Sequence, residues 1–375
     1  MLFGKITNFS YKRCWREDLE CTTLSDTNSP NINDLPSKCL VNLGDKTIAL
    51  SKWVSPKRTR SYPYARVYDT FDSSANKVAT IIPLIKDEGK DGDMDYLQWD
   101  TISLMSLLNI YVIVAFYESA QRNTRNLNKQ HKITHQAFNH NFIYTQLQAL
   151  NNYHQSALHW NLNQLSAQNL AKLISHTKTA YQNIAKNLSV TLHDSANIDK
   201  FAQKITKDRE SFMSYSRQKT KNAQNREFLT IQPKEFIQSS TKSKIEIENY
   251  LEGYYYFTID EVVEKDGTLC LVESKHSANA ILPSNDDIKD GLLKLMLYNN
   301  LCEVWDLSKK RDFNIVLQLT SNKLQSALTL PTTAQNINAF ITTNKLKSNQ
   351  SDILRSLNAE CKENGFEIWI SKELQ

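Results

Sequence analysis

The chain predicts a mixed α/β (α+β) protein, and three observations lead there. Residues 77–117 alternate short β-branched apolar runs with one helix-length apolar stretch. Residues 121–230 carry apolar side chains at helical spacing without Gly or Pro. Residues 254–276 place aromatic and β-branched runs on either side of Asp266-Gly267, the mark of a β-hairpin. At 375 residues the chain is long enough for two or three domains with their own cores. Its 40% hydrophobic and 23% charged content is that of a globular protein and excludes a wholly disordered one.

The elements follow in order. Residues 1 to about 60 are polar and turn-rich, with Asn28-Ser29-Pro30-Asn31, and predict irregular structure with short strands. Arg66-Val67-Tyr68 and Lys77 to Ile85 read as strands, Trp99 to Asn109 as a helix capped near Asp95, and Tyr111 to Tyr117 as a buried strand. The acidic run Asp91 to Asp95 begins like a calcium loop, but Tyr96 and Ile102 stand where an EF-hand needs Gly and Glu. Several helices are predicted across 121–230, one with Leu165, Leu170, Leu173 and Ile174 on its apolar stripe. His131 and His135 are four apart, as in helical zinc sites, and His140, His154 and His159 follow. They have no interleaved Glu or Cys partner and read as exposed helix-face histidines. A helix at about 234–252 leads into the hairpin, followed by a helix over 285–301 and a strand from Phe313. Helices near 334–345 and 350–364 precede a last strand over 366–371.

Composition narrows the function classes. The most apolar stretch, Leu104 to Tyr117, is too short to span a membrane. Residues 1–7 lack the apolar core of a signal peptide, so the expected compartment is the cytoplasm. Cysteines at 14, 21, 39, 270, 302 and 361 form no CxxC pair and read as reduced thiols; Cys14, Cys21 and Cys39 match no standard zinc spacing. The net charge of +5 hides an asymmetry: residues 121–246 hold 18 Lys or Arg against 7 Asp or Glu, the remainder 27 against 33. Such a basic middle segment is a footprint for polyanions, nucleic acid foremost. Within it, Arg217, Lys219, Lys221 and Arg226 are interleaved with Asn and Gln, residue types that clamp phosphates and read base edges. The expected division is therefore 1–120, an N-terminal α/β region; 121–245, a basic and mainly helical DNA-binding region; and 246–375, a catalytic core.

The hairpin carries the chemistry. With a two-residue type I′ loop at Asp266-Gly267, residues whose numbers sum to 533 face each other. Asp260 then opposes Glu273 and Thr258 opposes Lys275, all on one face, while Glu261 opposes Val272 on the other. Two opposed carboxylates repel unless a cation lies between them, and a site of one or two carboxylates completed by water and phosphate suits Mg²⁺. Lys275 beside it can bind a phosphate oxygen or, with a lowered pKa, help to deprotonate water. Two other acid-x-Lys triplets lack this context. Glu88-Gly89-Lys90, preceded by Asp72, lies in a polar, loop-like run, and Asp287-Ile288-Lys289 opens a helix with no paired strand behind it.

Asp260, followed after twelve residues by Glu273-Ser274-Lys275 on an apolar strand, resembles the signature of the PD-(D/E)xK nucleases, found in many type II restriction endonucleases. The resemblance covers roughly residues 245–320. Ile259 stands where the signature has proline. It implies a restriction-endonuclease-like core, a mixed sheet flanked by helices with the basic helical region as an insertion, in which residues 285–298 form the helix behind the active-site sheet. It implies Asp260 and Glu273 as metal ligands, with the Ser274 carbonyl available as a third, Lys275 as the catalytic lysine, and a further acid from Glu248 or Glu252. It further implies Mg²⁺ as cofactor, double-stranded DNA as substrate, a homodimer if the target is palindromic, and a cognate DNA methyltransferase as functional partner. The expected activity is that of a type II site-specific deoxyribonuclease. The rivals are a structure-specific repair or junction nuclease and a non-catalytic DNA-binding protein.

Overall fold

A computed structural model describes residues 1–25, 30–58, 60–126, 128–207, 214, 218, 241–250 and 253–372. The chain divides into two compact units, one of residues 1–17 with 219–375 and one of residues 18–218. The three-part division expected at 120 and 245 gives way to this one for two reasons. The first strand joins the C-terminal sheet, and the helices after 139 share a core with the N-terminal sheet.

In the unit of residues 18–218, strands β2 (Cys21–Thr23), β3 (Lys38–Leu43), β4 (Lys46–Lys52), β5 (Lys77–Pro83) and β8 (Tyr111–Ala115) form a sheet in the order β2-β3-β4-β5-β8. Only β3 and β4 are antiparallel; the parallel neighbours β4, β5 and β8 are joined by helices α1 (Pro63–Thr70) and α2 (Trp99–Leu107). Arg66-Val67-Tyr68, expected as a strand, lies in α1. Pro63 starts that helix, and Tyr64, Val67 and Tyr68 bury its inner stripe. The cap of α2 is Gln98, not Asp95, which sits on β7 (Met94–Tyr96) paired with β6 (Ile85–Asp87). The acids of that hairpin are held by cations: Glu88 accepts from Arg60 at 3.0 Å and lies 3.0 and 3.2 Å from the ammonium groups of Lys86 and Lys132, and Asp93 and Asp95 pair with Arg60. The Glu88 decoy is thus an ion-pair hub.

Helices α3 (His140–Asn151), α4 (Ala157–Gln164), α5 (Ala167–Leu188) and α6 (Ser195–Ile205) follow. Ile143, Leu147, Leu150 and Trp160 from α3 and α4 complete one core with Val41, Ile48, Leu50, Ile81 and Ile113 of the sheet. Asn139, Ser156 and Ser166 cap α3, α4 and α5. The described residues of 117–138 are not helical. They form a ribbon of β9 (Tyr117–Arg122) and β10 (Ile133–Phe138), so His131 and His135 share no helix face.

In the other unit a nine-stranded mixed sheet runs β15-β14-β1-β11-β12-β13-β16-β18-β17. Its strands are β1 (Leu2–Ile6), β11 (Thr241–Asn249), β12 (Gly253–Lys265), β13 (Thr268–Ser277), β14 (Glu303–Asp306), β15 (Lys309–Arg311), β16 (Phe313–Ser321), β17 (Leu328–Leu330) and β18 (Glu367–Ser371). The described part of the helix expected over 234–252 is β11. Ile245 and Ile247 are buried while Glu246 and Glu248 alternate outward, the period of a strand. Helix α7 (Asn285–Asn299) packs on β13 and β16, and α8 (Ala334–Asn344) and α9 (Ser348–Asn364) pack on β17, with α9 also against β18.

Residues 11–15 are fastened to this unit by one buried carboxylate. Glu360 on α9 accepts from the backbone amides of Cys14 and Trp15, both at 2.9 Å, and from the Tyr11 hydroxyl at 2.7 Å. Glu360→Ala removes these three hydrogen bonds and is expected to cost about 1.5–4.5 kcal/mol in chemical denaturation, at roughly 0.5–1.5 kcal/mol per bond.

Candidate active site

The loop Asp266-Gly267 turns as its residue types dictate, with φ of 50° and 82°. The β12–β13 ladder keeps the expected register from Lys265–Thr268 to Glu261–Val272 and ends there. On its other edge β13 pairs with β16 from Leu269–Phe313 to Ser277–Ser321, with Glu273 beside Leu317 and Lys275 beside Leu319, and β12, on its own other edge, sets Thr258 beside Lys244 of β11. Because the β12–β13 ladder ends at Glu261–Val272, Asp260 and Glu273 do not meet as a closed ladder pair, nor do Thr258 and Lys275. The strands part where the two carboxylates would collide, and the Asp260 Oδ2 accepts the Ser274 amide at 3.1 Å.

Glu273 is fully buried. Its Oε1 accepts from Lys294 at 2.7 Å and stands 3.1 Å from the Lys275 Nζ, which also donates to Asp290 Oδ2 at 2.9 Å. Its Oε2 is buried and meets no hydrogen-bond partner among the described residues. The site thus gathers Asp260, Glu273 and Asp290 with Lys275 and Lys294, three carboxylates against two ammonium groups. Ser274 is held sideways, its hydroxyl 3.2 Å from the Gln318 Oε1.

Asp290 and Lys294 were not singled out in the sequence. They stand four residues apart on one face of α7, either side of Gly291. A side chain at 291 would put a Cβ 2.7 Å from Leu317 Cδ1 and 3.4 Å from Lys275 Cε, so the glycine is what lets the helix approach the strand that carries Lys275. That glycine inside an amphipathic helix was the available signal. The Asp287-Ile288-Lys289 decoy resolves differently, since Lys289 is buried with its Nζ 2.8 Å from Glu17 and 4.7 Å from the Trp15 ring centroid.

Burial pushes the Glu273 carboxyl up to about 7, the Asp260 charge adding to the shift and Lys294 and Lys275 opposing it. Burial works against the charge of Lys275, yet Glu273 and Asp290 overcome it and hold the amine above its ordinary range. Of the two roles open to Lys275, this direction favours a cation that binds a phosphate oxygen over an amine that deprotonates water. Lys294 is likewise raised against its burial, by Glu273 and Asp260. In EDTA the folded state binds more protons at Glu273 than the unfolded chain between about 4.5 and about 7, so this group's contribution to stability falls as pH rises through that window. Glu273→Gln is expected to remove that slope, as measured by the difference between the two proteins' melting temperatures against pH.

A divalent cation fits the donor set. The orphaned Glu273 Oε2 and the Asp260 carboxylate are hard oxygens on a site one positive charge short, and two carboxylates with water and phosphate oxygens suit Mg²⁺. Among the described residues no group of three or more His, Cys, Asp and Glu is placed to hold an ion, so the protein's share would be this pair. Glu248 lies on β11, opposite Tyr254, and Glu252 lies outside the described residues. Arg217, Lys219, Lys221 and Arg226, the expected DNA-binding set, also lie outside them. No described helix is long and apolar enough to cross a membrane. No family model, curated protein or solved structure matches the chain.

Proposed function

We propose that the chain is a Mg²⁺-dependent DNA endonuclease of the PD-(D/E)xK kind, acting as a type II restriction enzyme on a short duplex sequence. The observation that carries the reading is the buried Glu273, one oxygen held by two lysines and the other without a hydrogen-bond partner among the described residues, beside Asp260 across the opened hairpin. The buried oxygen carries a desolvation cost that a bound cation beside Asp260 would offset. Asp260 and Glu273 would hold Mg²⁺, which supplies Lewis-acid stabilisation of a phosphoryl oxygen. Lys275, kept charged and aimed by Asp290, neutralises charge building on the scissile phosphate and orients the attacking water. Lys294 fixes the rotamer of Glu273. In-line attack on phosphorus breaks the bond to the 3′ oxygen. A homodimer follows if the target is palindromic, and a methyltransferase would protect the host's sites.

The test is incubation with long unmethylated duplex DNA in Mg²⁺ and in EDTA, with sequencing of fragment ends. Mg²⁺-dependent fragments sharing one terminal sequence are expected. Random ends would favour a structure-specific repair nuclease, and intact DNA under every metal would overturn the enzymatic reading.

A further inference from the structure

From residue 119 to residue 193 the chain contains no Asp or Glu, but seven Lys or Arg and seven of its eight histidines. Within this stretch the β9–β10 ribbon and its connection, residues 123–132, hold Arg122, Arg125, Lys129 and Lys132. Lys132 is spent on Glu88, which ties the ribbon to the β6–β7 hairpin. Two further anchors fix that end: the His131 amide donates to Asp91 Oδ2 at 2.8 Å, and the Asn123 amide donates to the Lys132 carbonyl at 2.9 Å. Arg122, Arg125 and Lys129 are exposed and form no ion pair among the described residues; Arg122 uses only its Nε, on the Gln130 carbonyl at 3.3 Å.

Side-chain hydrogen bonds shape the described part of the connection. The Asn123 Oδ1 accepts the Arg125 amide, and the Asn126 Oδ1 accepts the Asn128 amide at 3.0 Å. The ladder is irregular between Thr134 and Ala137, where exposed His135 takes a φ of 48°, a backbone strain that re-aims a side chain. Gln121, Asn128 and Gln130 are exposed along the same ribbon. A fixed two-stranded ribbon bearing unneutralised cations and amides matches a duplex major groove, which admits such a ribbon and offers phosphates on its rims and base-edge donors and acceptors on its floor.

We infer that the β9–β10 ribbon is a docking element for duplex DNA, with Arg122, Arg125 and Lys129 contacting phosphates. The inference rests on the proposal that DNA is the substrate, but it concerns binding alone and survives or fails without catalysis. The test is fluorescence anisotropy of the full chain with a mixed-sequence 30-base-pair DNA duplex in EDTA, at 50–200 mM salt. Arg122→Ala/Arg125→Ala/Lys129→Ala is expected to bind about 10- to 100-fold more weakly at intermediate salt, and its plot of log affinity against log salt is expected to be shallower by about two to three. Arg122→Lys/Arg125→Lys/Lys129→Arg, which keeps the charge, should retain the wild-type slope. Equal affinity and slope in the alanine variant and the wild type would overturn the inference. So would a loss confined to an RNA duplex of the same length.

Discussion

Lys275→Ala is expected to slow Mg²⁺-dependent DNA cleavage by about 10²–10³-fold, the scale on which removal of one preorganised charge-stabilising donor acts. The reason lies in how the amine is held. Glu273 at 3.1 Å and Asp290 at 2.9 Å keep it charged and fixed before substrate arrives, so little reorganisation remains for the chemical step. The check is the single-turnover cleavage rate at saturating Mg²⁺, with a melting curve on the same preparation. Asp290→Asn should lower the rate less, because it leaves the ammonium in place and removes only one of its two anchors.

The largest effect on stability is expected at Lys294. Lys294→Ala leaves the fully buried Glu273 with Lys275 as its remaining cation, and breaking one side of a buried pair costs about 3–5 kcal/mol. Three behaviours should accompany the loss in urea denaturation. Glu273→Gln in the same chain should recover much of it, since a neutral amide needs no counter-ion. Lower pH should recover part of it, since the carboxyl, already pushed up to about 7, then protonates. Added Mg²⁺ should do the same by binding only the folded state. A cost independent of all three would assign Lys294 to packing alone.

The hairpin was legible because it is local. Asp266-Gly267 dictates its own turn, and one residue pair then sets the register from 265 back to 261. The parting of the strands beyond that point was not legible. The turn sets only the register next to it; where the ladder stops is set by the side chains at its far end, where Asp260 accepts the Ser274 amide in place of a ladder pair. The long helices were also readable, α5 and α9 from their 3.6-residue stripes and α7 from Ser284, Asp286 and Asp287 at its start.

Two misread segments show competing signals. In β11, Lys and Glu favour a helix by intrinsic propensity, but Ile245 and Ile247 alternate with period two, and burial between β1 and β12 decided the outcome. In α1, the β-branched and aromatic residues favour a strand, yet Pro63 at the helix start and burial of Tyr64, Val67 and Tyr68 outweighed them. The pairing of β1 with β11 joins residues 2–6 to 245–249, a separation no local pattern encodes. At the site, Asp260, Glu273 and Lys275 were found from spacing on two adjacent strands. Asp290 and Lys294 were not, because their role depends on how closely α7 lies on β13, which Gly291 permits.

The most direct measurement compares nicking of a supercoiled plasmid by the wild-type protein and by Glu273→Gln as Mg²⁺ is raised from zero. The account predicts nicking that saturates with Mg²⁺ in the wild type and none in the variant, with a melting curve on the same preparation showing that the variant is folded. Equal nicking by both proteins, or nicking by the wild type in EDTA, would contradict it.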